Sequence, residues 1–182
     1  MSRPRGSIIE EVSGICDGRI VRAESGVYAM PNVTAVLNLT TSYQALTGSE
    51  LTYFAPAGTK RVKYQLEVKL KATGYSGISH YKLFVDDVEV TKFRTTRNYS
   101  YSSSNQGNLY ESFVWVFDCD GTADAATGTF SEWIGGKTIR MTAREYNSSY
   151  QMQLHNNSWW DGTGASGVEQ LGEPILTITA YA

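Results

Sequence analysis

Residues 61–72 read RVKYQLEVKLKA, and this stretch decides the fold. Val62, Tyr64, Leu66, Val68 and Leu70 alternate with Lys63, Gln65, Glu67, Lys69 and Lys71. An apolar residue at every second position describes a strand with one dry face and one wet face. On a helix the same residues would scatter around the circumference and leave no stripe to bury. Such a strand needs neighbours on both edges and a second apolar layer over its dry face. The expectation is an antiparallel sandwich or barrel.

Working outward, KTIRMTAREY (137–146) repeats the pattern, with Ile139, Met141 and Ala143 inward and Arg140, Thr142 and Arg144 outward. PILTITAYA (174–182) reads as a closing strand paired inside a sheet. Ile78 to Val85 and Val88 to Phe93 flank Asp86-Asp87, the signature of a hairpin. Tyr110 to Cys119 is apolar on both faces, with Phe113, Trp115 and Phe117 on one and Val114 and Val116 on the other. A strand buried on both sides belongs at the centre of the fold or at an intersubunit seam, which makes Val114, Val116 and Trp115 candidate interface residues. Residues 95–108 read as a long polar loop, and 155–172 as the longest irregular stretch. About eight to ten strands, with turn signals every 8–12 residues or so, predict an all-β, antiparallel jelly-roll sandwich.

Residues 1–19 are expected to form an N-terminal arm, and 20–182 the jelly-roll domain. Pro4 and Gly6 break regularity, after which Ile8, Ile9, Val12 and Ile15 supply a short apolar run. The run reads as one helical turn or as an added strand, and either could dock on a partner. Glu10 and Glu11 interrupt what would be the hydrophobic core of a signal peptide, so a protein made and kept in a cytosol is expected. No stretch approaches a membrane span, and no membrane insertion is expected.

The 182 residues carry 16 basic and 18 acidic side chains, a net charge of −2. That gives no field of one sign, so nucleic acid is a poor partner. Cys16 and Cys119 allow one disulfide, but two lone thiols are the expected state in a chain made in a cytosol, and two cysteines are too few for a zinc site. His80 and His155 lie in no catalytic motif, and neither a nucleophile elbow nor a phosphate-binding loop appears. The loop Asp118–Asp124 (DCDGTAD) offers three carboxylates, but Thr129 stands where a calcium loop of the EF-hand type places its glutamate. It reads as an Asx-rich turn. No catalytic residue, metal or cofactor is expected.

One loop has the composition of a sugar site. HNNSWWDG (155–162) sets Trp159 and Trp160, flat faces for a pyranose ring, among the hydrogen-bonding groups of Asn156, Asn157 and Asp161. The competing reading has one tryptophan plugging an end of the sandwich and the other packed on a neighbouring subunit. Tyr99 and Tyr101, in a serine- and asparagine-rich background, have the composition of a contact loop.

Taken together, NVTAVLNLTTSYQALTGSELTYFAPAGTKRVKYQLEVKL, ISHYKLFVDDVEV, KTIRMTAREYNSSYQMQLHNNSWWDGTG and EPILTITAYA resemble virion structural proteins of marine viruses, of the cyanophage fibre, knob and capsid-decoration kind. The strand order also resembles trimeric jelly rolls of the tumour-necrosis-factor type. The likeness covers about residues 30–182 and brings no catalytic signature with it. It implies a non-enzymatic virion-surface protein made in the host cytoplasm, a decoration or minor capsid protein. It further implies a homotrimer joined to other virion proteins by its arm. The alternative it implies is a receptor- or glycan-binding tip of a tail fibre, with a host-surface glycan as ligand.

Overall fold

The computed structural model describes residues 4–73, 76–100, 108–159 and 168–182. In chain order the strands begin with β1 (Ile8–Ile15), β2 (Ile20–Ala23), β3 (Gly26–Ala29), β4 (Leu37–Asn38), β5 (Gln44–Ala45), β6 (Leu51–Phe54), β7 (Arg61–Ala72) and β8 (Ser76–Val85). They continue with β9 (Val88–Glu89), β10 (Thr95–Ser100), β11 (Asn108–Asp118), β12 (Gly136–Glu145), β13 (Met152–Leu154), β14 (Asn156–Trp159), β15 (Val168–Leu171) and β16 (Ile175–Tyr181). β7 is the centre of the first sheet, in the order β1-β16-β7-β13-β4, with β11 on its other edge. The second sheet runs β10-β8-β12-β5, with β6 also on β12 and β9 on β8. All named pairings are antiparallel, and the chain is an all-β, jelly-roll-like sandwich. β9 forms only the first two residues of the expected strand Val88 to Phe93, and β4 and β5 are likewise two-residue pieces.

The alternation of residues 61–72 is what places β7 in the middle. Val62, Tyr64, Leu66 and Leu70 are fully buried between the sheets. From the second sheet Leu83, Ile139, Met141 and Ala143 meet the same core. The Tyr81 and Phe113 rings pack 4.4 Å apart across it, and the Tyr64 hydroxyl donates to the Ser49 carbonyl at 2.8 Å. That carbonyl follows Gly48, whose φ of +84° and close approach to Pro174 exclude a side chain. Asp86 and Asp87 both take positive φ, 47° and 66°, in the two-residue turn between β8 and β9.

Four expectations change. Residues 8–15 form the added strand, not the helical turn, and they dock on the chain's own sheet. They pair along β16 from Ile8↔Tyr181 to Ile15↔Ile175, and Val12 is fully buried. The pattern was hidden because an inward position carries a carboxylate, Glu10. It is satisfied by the Ser25 N–H at 2.7 Å and the Tyr53 hydroxyl at 2.9 Å. β11 is an edge strand, not a doubly buried one: Phe113 and Phe117 are buried, while Val114 and Val116 are 45% and 43% exposed. The predicted loop at 95–108 begins as β10, whose Thr95, Thr96 and Tyr99 suit an extended chain. Within 155–172, β14 and β15 pair as a hairpin from Asn156↔Leu171 to Trp159↔Val168.

Candidate interaction surface

Register places the outward side chains of β1, β16, β7 and β11 in rows across the first sheet. One row is Ser13, Thr177, Gln65 and Val114; the next is Glu11, Thr179, Lys63 and Val116. On the other side of the first row stand Ile15, Ile175, Glu67 and Ser112. Ser13 and Thr177 share a hydroxyl hydrogen bond of 2.7 Å, and Thr179 donates to Glu11 at 3.2 Å. Thr179 is fully buried although it points outward, because Glu11 and Lys63 flank it. The result is a sheet face with one uncharged row, set between a row carrying Ile15, Ile175 and Glu67 and a row carrying Glu11 and Lys63.

The β14–β15 hairpin bounds this face. It covers Lys71, which is almost wholly buried and forms an ion pair with Glu169 of β15. Asn156 is fully buried and donates to Gln153 at 2.8 Å, so it is a structural residue rather than a surface contact. Its Oδ1 has no partner among the described residues. Asn157 is half-buried and Trp159 is 56% exposed beside it. Trp160, Asp161 and Tyr101 lie outside the described residues. Tyr99 stands apart from these groups: its half-buried ring packs on the core, and its hydroxyl donates to Glu111 at 2.8 Å. The sugar-site residues are therefore not all gathered on one accessible surface.

Among the described residues the other edge of β11 is open. Cys119 N–H donates to the Lys60 carbonyl, so the odd-numbered residues aim their main chain at β7. The even-numbered residues aim theirs away, as the Asp118 carbonyl shows by accepting from Phe130 N–H at 2.8 Å. Among the described residues, β11 pairs with β7 alone. Of the interface candidates, Val114 and Val116 lie on the outer face. Trp115 points inward, half-buried, and donates from Nε1 to the Thr127 carbonyl at 3.0 Å. Of the docking candidates, Ile8 is 58% exposed, Ile9 and Ile15 are half-buried, and Val12 belongs to the core.

The titratable interior is structural in character. His155 is fully buried with φ of +63°, and its Nε2 lies 2.9 Å from the Thr47 hydroxyl. Burial holds its pKa down at about 4. Cys16 and Cys119 are free and buried, and burial pushes each thiol up to about 12. Among the described residues no group of three or more His, Cys, Asp or Glu is placed to hold a metal ion. No helix among them is long and apolar enough to cross a membrane. Sequence reading missed the buried Lys71 and the open edge of β11; the alternation at 61–72 marks Lys71 only as outward.

This fold and surface define a class, an all-β sandwich with one uncharged row on a sheet face and, among the described residues, an open strand edge. The chain matches no protein-family model, and no curated protein matches it.

Proposed function

We propose that this chain is a non-enzymatic structural protein of a virion surface, a capsid-decoration or minor capsid protein whose copies join as a trimer. The observation that carries the assembly reading is the outer face of the first sheet. The row Ser13, Thr177, Gln65 and Val114 carries no formal charge and lies beside Ile15–Ile175. Burying short, already hydrogen-bonded side chains against another protein costs little desolvation, whereas burying unpaired charges would cost far more. The virion rests on the resemblance of the quoted stretches to marine-virus proteins, and the three-fold count on the resemblance of the strand order to trimeric jelly rolls of the tumour-necrosis-factor type. An anchor to other virion proteins would use the residues before β1 together with the exposed Ile8.

The test places a charge in the middle of the uncharged row. Thr177→Arg is expected to break the three-fold contact, cutting the mass measured by light scattering to a third, and to abolish incorporation into particles. A variant that still assembles and incorporates normally would remove the reading. A second reading, a glycan-binding tip, is favoured by the exposed indole of Trp159 beside Asn157. Trp159→Ala should then abolish binding to glycans or host cells with the fold intact.

A further inference from the structure

We propose that the open edge of β11 is a self-pairing seam, at which the same strand of a second copy adds antiparallel across a two-fold axis at Phe113. The inference rests on the assembly reading above and names a partner for a different surface, the edge rather than the face. Alternation leaves the main-chain N–H and C=O groups of Tyr110, Ser112, Val114 and Val116 on the free side, between Asn108, which faces the same way but adjoins residues outside the described ones, and Asp118. Beyond them the Asp118 carbonyl is already taken by Phe130 N–H. The free window is therefore centred on Phe113.

An antiparallel partner centred there sets Tyr110 against Val116 and Ser112 against Val114 of the other copy. Every main-chain group of the Tyr110–Val116 window is used, with about eight main-chain hydrogen bonds, two for each facing pair. The strand is self-complementary in charge as well. Residues 112–117 (SFVWVF) are uncharged, and Glu111 comes opposite Trp115 of the second copy rather than another carboxylate. The outer valines of the two copies then form one apolar patch across the seam. The edge also lacks the usual protections, since β11 contains no proline, lysine or register break. Beside it an open groove of about 280 Å³, lined by Phe93, Arg97, Phe113 and Trp115 among others, leaves the strand uncovered. A contact of this symmetry joins copies in pairs and cannot close a ring of three, so it links two monomers or two trimers.

Light scattering behind a sizing column tests the seam, with wild type and variants at equal concentration. Val116→Pro lies outside the uncharged row and removes an N–H for which the described residues supply no partner, so the fold is expected to survive. Ser112→Lys keeps the N–H and adds charge to the edge. Both are expected to halve the wild-type mass while leaving the circular dichroism spectrum unchanged. A wild-type monomer, or any mass that neither variant changes, overturns the pairing. A trimer that is indifferent to both variants but is broken by Thr177→Arg would overturn the seam and leave the assembly reading standing.

Discussion

The hydroxyl of Tyr53 donates to the carboxylate of Glu10 at 2.9 Å in the buried interior, and by this bond the sixth strand holds the first. Glu10 also receives the N–H of Ser25, so the chain's first strand is tied to two neighbouring segments. A segment that resembles a loose arm is thereby part of the core.

Tyr53→Phe leaves one acceptor site of a buried carboxylate unfilled and should cost about 1–3 kcal/mol. Deleting the residues up to Ile15 should do much more, because it removes Val12 and exposes the β16 edge. Thermal unfolding followed by circular dichroism would report both. A truncated chain that melts like the intact one would show that β1 adds nothing to the domain.

Lys71 and Glu169 form an asymmetric pair, the ammonium buried and the carboxylate largely exposed. Removing only the exposed partner leaves a buried charge unmatched, whereas replacing the lysine by an apolar chain of similar length does not. Glu169→Ala should therefore lower stability by about 1–3 kcal/mol, and Lys71→Met by less or not at all. Urea midpoints of the two variants give the order directly.

His155 makes stability depend on pH. Its pKa is depressed to about 4 in the folded chain from an ordinary 6.5, so folding favours the neutral ring. The stabilisation is whole above pH 6.5 and is lost as pH falls from there towards 4, where the folded protein also binds the proton. The loss amounts to about 3 kcal/mol. His155→Asn, a residue that tolerates the positive φ, should flatten this part of the stability profile between pH 7 and 4.5 or so. An unchanged profile would assign the acid sensitivity to other groups.

Cys16 and Cys119 should resist alkylation in the native protein, since each thiol is buried and titrates near 12. Mass spectrometry after iodoacetamide treatment should find both unmodified at pH 8 or so and both modified once urea unfolds the chain. Rapid labelling of Cys16 in native protein would show that the contact of its thiol with the Gly48 carbonyl opens readily.

By itself the sequence determined whatever depends on neighbours along the chain. Period two at 61–72 and 137–146 put the right residues inward, because side-chain direction in a strand alternates whatever the strand pairs with. The Asp86-Asp87 turn was legible for a similar reason: two residues that tolerate positive φ are enough to reverse a chain. Only the tertiary structure decided which strands lie at edges. Edge and centre are set by pairing between residues far apart in sequence, and β11 reads as doubly apolar whether or not a partner covers it. The same holds for β1, whose inward carboxylate is tolerable only because Tyr53 and Ser25 arrive from elsewhere. Lys71 likewise looks like any outward lysine until the β14–β15 hairpin folds over it. The outer face and the open edge of the candidate surface are products of those long-range pairings, so the local pattern of residues could not announce them.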